Sequence, residues 1–347
     1  MRTIIRQAAW ITLCLASAAL AASPAGIAPA ATTELEAQSR ALERASQAVV
    51  GVQTLAIDGA RSNATLGRLR QGSGVVIGPD SQVLTIGYLI LEADQVQLVL
   101  DDNRSVPARV VAYDLATGFG LLQPLAPLRI APAPLGTSRS LSSEESLLVA
   151  SGGDQGQLSM ARLVSRRSFA GYWEYRIEGA LFTSPPRTDH SGAGLFNSRG
   201  ELVGIGSLMV ADTRSDVRAE GPRRPGNMFV PTDLLRPILG ELRASGMSGA
   251  SRRAWLGVNC IEQSGQLHVI RVTADSPADV AGLRVGDRIH AIDGTPVSTL
   301  DSLWTTLWAG GPAERALSIE VERDGQRRKV DLHSIDRAQA IKRASGV

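Results

Sequence analysis

One serine stands in a turn suited to a nucleophile. The run Asp189-His190-Ser191-Gly192-Ala193-Gly194 sets a hydroxyl among small residues. Serine-type acyl transfer also needs a base to take the hydroxyl proton and a group to orient that base. The chain is poor in both. Its four histidines are His190, His268, His290 and His333, and none precedes residue 190. A serine–lysine pair finds no support either, because Lys329 and Lys342 are the only lysines and both lie far towards the C-terminus. His190 adjoins Ser191, but neighbouring side chains in a tight turn point apart, so it is expected to face away from the serine. Without a base, a serine in a Gly-rich turn is as readily structural as catalytic. No Cys/His cluster has metal-ligand spacing, so neither metal nor cofactor is expected.

The elements around this turn read as short strands. Gly74-Val75-Val76-Ile77 ends at the turn Gly78-Pro79-Asp80, and Val83-Leu84-Thr85-Ile86 follows. Val96 to Leu100, Arg109 to Tyr113 and Gly120 to Leu122 continue the series. It resumes at Ser146 to Ala150, Gly194 to Phe196 and Glu201 to Ile205. Strands at this spacing, separated by turn residues, predict a barrel or sandwich. A helix is expected over Glu34 to Val49, where Leu35, Leu42, Ala45 and Val49 share a face, and a closing helix over Leu234 to Leu242. Ala244 to Arg253 is rich in Ser, Gly and Ala without periodicity and reads as a linker.

Several of these segments, in order, resemble one family. Gln71-Gly72-Ser73-Gly74-Val75-Val76-Ile77 is similar to the strand that opens the protease domain of HtrA/DegP enzymes. Val83-Leu84-Thr85, Glu92-Ala93-Asp94, Asp114 to Leu122, Leu135-Gly136-Thr137-Ser138, Ser191 to Asn197 and Phe229-Val230-Pro231-Thr232 resemble later segments of that domain. The resemblance spans Glu34 to His333. It implies an all-β-dominated fold: two antiparallel six-stranded β-barrels of the chymotrypsin/trypsin type, followed by a PDZ domain. It also implies a His-Asp-Ser triad. Ser191 matches the nucleophile, but Tyr88 falls where the histidine belongs and Gly118 where the aspartate belongs. A phenol with an ordinary pKa near ~10 is a poor base at neutral pH. The family's oxyanion turn reads G-N-S-G-G-P, and here Asp189 replaces its first glycine.

The C-terminal part carries the more specific signature. Trp255-Leu256-Gly257-Val258 resembles the carboxylate-binding loop of HtrA-type PDZ domains. Successive backbone N–H groups around a glycine make a concave anion site, and a peptide can add as a strand beside Val258 to Ile261. Ser276-Pro277-Ala278 opens a short helix that ends at Gly282. A second helix is expected over Ser298 to Gly310, capped by Ser298 with Asp301. Its Leu300, Leu303, Trp304, Leu307 and Trp308 share a face. Most should be core, with Leu300 and Trp304 lining the peptide groove.

The N-terminus reads as an export signal. Arg2 and Arg6 precede an apolar run from Ala8 to Leu20, with Ala19-Leu20-Ala21 as a cleavage site. Retention as an N-terminal anchor is the alternative. After cleavage no membrane span is expected. The formal charge of +2 falls to zero once Arg2 and Arg6 are removed, which argues against nucleic acid as a partner. Only Cys260 remains, so no internal disulfide forms. The expected organisation is a signal peptide over 1–22, linker and helix over 23–47, and the double barrel over 48–243. A linker over 244–253, a PDZ domain over 254–335 and a tail over 336–347 complete it. The expected function is an exported, periplasmic pseudoprotease. It would bind peptide C-termini or unfolded proteins as chaperone, scaffold or regulator. An active endopeptidase with a non-standard base is one alternative. A homo-trimer, or an inactive subunit partnering an active HtrA relative, is the other.

Overall fold

The structure is a computed structural model that describes residues 29–102, 104–154, 156–214 and 222–342. The expected signal peptide, the first residues of the following linker and the end of the tail lie outside these residues.

Two barrels carry the fold. Strands β1 (Val49–Ala56), β2 (Leu69–Ile77), β3 (Gln82–Ile86), β4 (Ala93–Val99), β5 (Ser105–Tyr113) and β6 (Phe119–Pro124) close in the order β1-β2-β3-β6-β5-β4. Strands β7 (Ser146–Ala150), β8 (Leu158–Ala170), β9 (Arg176–Ser184), β10 (Gly194–Phe196), β11 (Leu202–Val210) and β12 (Gly226–Pro231) close in the order β10-β11-β12-β9-β8-β7. Every pairing is antiparallel. β-Branched and leucine side chains such as Val52, Val75, Val83, Leu84 and Ile86 fill the first barrel, and Leu147, Leu181, Leu195 and Val203 pack in the second. Such residues suit the twisted, half-buried surface of a small barrel.

A third sheet follows. Strands β13 (Ala254–Trp255), β14 (Val258–Gln263), β15 (Gln266–Val272), β16 (Arg288–Ile292), β17 (Thr295–Pro296), β18 (Arg315–Arg323) and β19 (Gln326–Asp336) form one curled sheet in the order β13-β19-β18-β16-β15-β14, with β17 on β16. The helix Leu300–Ala309 seals its core: Leu303, Trp304 and Leu307 are buried, and Leu300 and Trp308 pack partly buried against them. The fold is therefore two six-stranded antiparallel barrels followed by a PDZ-like sheet.

Local expectations hold with shifts that have physical causes. The first helix runs Pro29–Gln47, and Val49 opens β1 instead of ending the helix. The β-branched pair Val49-Val50 favours the strand. The helix expected over Leu234 to Leu242 is instead a 3-10 turn at Thr232–Leu234 and a helix at Leu239–Ser245. Pro237 sets that break, because it disfavours helix at the preceding residue and carries no N–H. Ser276 caps the helix Pro277–Val280 as expected, accepting from the Asp279 N–H. The next cap is one residue later than expected. Thr299, not Ser298, receives the N–H of Ser302, and Ser302 completes the capping box. The Asp301 carboxylate is taken by Arg176 of β9, 2.7 Å away.

The stretch read as a linker is anchored. Asp114 is buried before β6, and its Oδ1 accepts from the Ser248 N–H at 3.0 Å and the Ser251 hydroxyl at 2.5 Å. Its Oδ2 accepts from the Thr117 N–H at 3.0 Å and the Thr117 hydroxyl at 2.6 Å. Burial opposes the charge, but hydrogen bonds from Ser248, Ser251 and Thr117 outweigh it and hold the carboxyl below its ordinary range.

Candidate active site and peptide groove

Ser191 lies in the turn before β10, and Tyr88 in the helical turn Gly87–Ile90 that follows β3. The turn is clamped to the first barrel: the Ser73 N–H donates to the Ser191 carbonyl at 2.8 Å, and the Thr85 hydroxyl donates to the Ser73 carbonyl at 2.7 Å. This brings two residues far apart in sequence together. The Tyr88 oxygen lies 2.7 Å from Ser191 Oγ and 2.9 Å from the Ser207 carbonyl oxygen.

The protons in this triplet can be assigned by elimination. A phenol has one proton to give, and a carbonyl oxygen can only accept. Both contacts are satisfied when Tyr88 donates to Ser207 and Ser191 donates to Tyr88. The serine proton then points at an oxygen that already carries its own. Burial pushes the Tyr88 hydroxyl up to about 12, and the Ser191 hydrogen bond only partly offsets it. At pH 7 on the order of 10⁻⁵ of molecules would hold the phenolate that could act as a base.

Gly118 sits nearby, and glycine has no side chain with which to orient a base. Its N–H donates to the Asp114 carbonyl at 2.7 Å, and its carbonyl accepts from the Gly87 N–H at 2.6 Å. Its φ of +80° is a backbone region that favours glycine. The space beside it is taken by Tyr175, whose hydroxyl donates to the Thr117 carbonyl at 3.1 Å. Tyr175 and Tyr113 were not singled out from the sequence. Tyr175 packs on Gly118 and Tyr113 on the adjoining Gly87, a meeting of distant segments that only the fold brings about.

His190 does not serve Ser191. Its Nδ1 lies 2.9 Å from the Arg187 carbonyl, and burial lowers its pKa. It borders the same cavity as Tyr88 and Ser207. Asp189 is a bonded turn residue. Its carboxylate pairs with Arg187 and accepts from the Ser151 hydroxyl at 2.5 Å. Burial opposes its charge, yet the Arg187 and Ser151 hydrogen bonds keep its pKa lowered.

Of the residues expected to form a peptide groove, Leu256, Gly257, Val258 and Trp304 come together around one loop. Gly257 has φ +86°, and the loop around it aims the N–H groups of Leu256, Gly257 and Val258 at one point. That point holds the carboxylate of Glu174. Its Oε1 accepts from Leu256 at 3.2 Å, Gly257 at 2.8 Å and Val258 at 3.2 Å. Glu174 belongs to the loop between β8 and β9, in the second barrel. The same loop lies along β14: the Cys260 N–H donates to the Tyr172 carbonyl at 2.6 Å, and Trp173 bridges Asn259 in antiparallel register. Trp304 closes the other side, its indole N–H donating to the Gly171 carbonyl at 2.9 Å. Leu300 stays with the sheet's own core, and Trp255 faces the cavity next to this loop.

A cavity of about 520 Å³ joins the groove to Tyr88, the partner of Ser191, and is bounded by Tyr88, Gly118, Ser207, Trp173 and Trp255. Trp173 stacks on Tyr175 with ring centres 5.4 Å apart and planes 8° from parallel. One five-residue segment thus touches both sites. Glu174 was missed in the sequence because an acid in a loop ordinarily reads as solvated. The flanking aromatic run Tyr172-Trp173 and Tyr175 was the one available signal.

Known proteins share this order of domains. Residues 72–205 match the trypsin-like peptidase domain family, and residues 254–333 match the PDZ domain family. A DegP-like periplasmic serine endoprotease of Pseudomonas savastanoi pv. phaseolicola is 30% identical over 281 residues, covering 75% of this chain and 55% of the relative. The serine protease HhoA of Synechocystis is 28% identical, covering 74% of this chain and 68% of the relative. The chain spans about half the length of most of the curated relatives it matches. Among solved structures, the HtrA-type protease AlgW with a tripeptide aligns over 86% of this chain and 97% of its own, at 22% identity and a TM-score of 0.52. A serine endoprotease from Yersinia pestis aligns over the same shares with a TM-score of 0.51. Among the described residues no helix is long and apolar enough to cross a membrane. The chain carries a trypsin-like peptidase domain followed by a PDZ domain, and across three quarters of its sequence it is similar to proteins of the HtrA/DegP kind.

Proposed function

We propose that this protein is an exported, non-proteolytic HtrA-type protein that binds peptide C-termini or unfolded segments through its PDZ domain. It acts as chaperone, scaffold or regulator in envelope protein quality control. The observation that carries the reading is the Ser191–Tyr88–Ser207 triplet. In it the serine proton faces a protonated phenol oxygen tied to a carbonyl. Tyr88 and Gly118 stand where the family's histidine and aspartate belong, and losing base and orienter removes about four decades of rate. The peptide-binding half of the proposal is supported by three N–H donors that already converge on a carboxylate. The apolar leader and the periplasmic relatives support export to the periplasm.

The test has two arms on the mature protein. Casein digestion by wild type and Ser191→Ala should be equal and at background, and turnover that depends on Ser191 would overturn the non-proteolytic reading. Peptides with a free C-terminus should bind, and their C-terminal amides should not. Equal binding of both would overturn carboxylate docking.

A further inference from the structure

The segment Gly171–Glu174 lies along the groove as an added strand would. It runs antiparallel to β14, with its Glu174 end at the loop of N–H donors. Going backwards from Glu174, Trp173 pairs with Asn259, the Tyr172 carbonyl accepts from Cys260 and the Gly171 carbonyl accepts from Trp304. A strand added to a sheet edge takes its affinity from such main-chain bonds, and capture of a terminal carboxylate sets its end. Here the chain does not end. A side-chain carboxylate takes the place of the terminal one, and the backbone continues into β9.

We propose that Gly171–Glu174 is a tethered ligand of the PDZ groove, with the Glu174 side chain standing in for a C-terminal carboxylate that an incoming partner must displace. The proposal rests on reading this groove as the peptide-binding site. The tether is short, because β8 and β9 fix both ends of the loop. A tethered competitor acts at an effective concentration in the millimolar range, so a free peptide meets a groove already filled. Such a groove selects partners that present both an extended strand and a free carboxylate at high local concentration. Displacement also moves Trp173 and Tyr175, which wall the cavity beside Tyr88 and Gly118. Occupation of the groove by a partner therefore opens that cavity from the PDZ side.

The probe is a fluorescein-labelled hexapeptide Ser-Phe-Ala-Gly-Tyr-Trp with a free carboxylate, which repeats residues 168–173 and ends where Glu174 would follow. Its binding is measured on wild type, Glu174→Ala and Glu174→Gln, with the amidated hexapeptide as control. Glu174→Ala leaves three N–H donors empty and should bind the probe at least about tenfold more tightly than wild type. Glu174→Gln keeps an acceptor oxygen and should stay close to wild type. Equal affinity for wild type and Glu174→Ala overturns the proposal. Hydrogen exchange of the Leu256, Gly257 and Val258 amides gives a second readout that needs no peptide. If neither protein binds the probe, the peptide-binding reading fails. Slow amides in wild type that become fast in Glu174→Ala still establish the tether, and equal rates overturn it. Should Glu174→Ala not fold, rapid exchange of these amides in wild type, against slow exchange elsewhere in β14, overturns it as well.

Discussion

Tyr175 Oη stands 2.6 Å from the point where a Cβ on Gly118 would lie. The position that the family resemblance assigns to an aspartate therefore has no room for a side chain, and its positive φ strains any residue but glycine. Restoring the family residues by Tyr88→His with Gly118→Asp should not create a protease. The aspartate would have to displace a buried tyrosine that is hydrogen-bonded to Thr117 and stacked on Trp173. The double variant is expected to lose roughly 2 kcal/mol or more in urea unfolding, from overpacking and backbone strain. It should show no casein turnover above Ser191→Ala. Adding Tyr175→Ala makes room for the carboxylate. Appreciable turnover in the double variant, with Tyr175 intact, would show that the space is less constrained than this packing implies.

The barrels and the third sheet were legible because their signals are local or sequential. Gly78-Pro79-Asp80 ends one strand, Ser276-Pro277 starts one helix, and ordered segments fix the rest. Shifts occurred where a distant partner changed a local choice. Asp301 leaves the helix cap for Arg176, and Ser251 leaves solvent for Asp114. Of the candidate site, Ser191 and Tyr88 followed from the resemblance of ordered segments to HtrA/DegP enzymes, and the loop Leu256-Gly257-Val258 from its likeness to that family's carboxylate-binding loop. Glu174 did not follow, because its role exists only when the turn after β8 meets a loop more than eighty residues away. No periodicity in Gly171 to Tyr175 encodes that meeting.

Asp114 ties the first barrel to the segment that leads into the third sheet, so its loss should loosen both. Asp114→Ala removes four hydrogen bonds and leaves the buried Thr117 and Ser248 N–H groups without an acceptor. An unsatisfied buried donor costs ~1–3 kcal/mol, so a loss of roughly 3 kcal/mol is expected, against about 1 kcal/mol for Ser251→Ala. At ~2–4 °C per kcal/mol, the melting temperature should fall by about 6–12 °C. The carboxyl's lowered pKa adds a sign test. Its stabilisation is full above the ordinary carboxylate pKa of 3.8 and fades as pH falls through the lower folded value. Calorimetry on the two variants between neutral and acid pH measures both effects. Equal melting temperatures for Asp114→Ala and wild type would show that the linker is held by other contacts.

Closure of the groove by Glu174 should depend on pH in the opposite sense. Burial pushes the Glu174 carboxyl up to about 7 from an ordinary 4.5, against the pull of Arg337 and the three N–H donors. Cys260 lies buried on β14, and its thiol is pushed up by burial and by Glu174, so it stays neutral and does not titrate in this range. Arg337 donates to the Glu174 carbonyl at 2.9 Å. Opening of the groove returns the carboxyl to water, where it is a stronger acid. The closed form thus binds protons more tightly. Its advantage is full below pH 4.5 and is lost as pH rises through about 7. Between pH 6 and pH 8 the closing equilibrium should weaken about tenfold. Protection factors of the Gly257 amide, corrected for the intrinsic pH dependence of exchange, report this directly. They should fall by that factor in wild type and stay level in Glu174→Gln, which has no proton to exchange. A protection factor that rises with pH in wild type would mean the three N–H donors outweigh burial, and that the tether closes as the charged carboxylate.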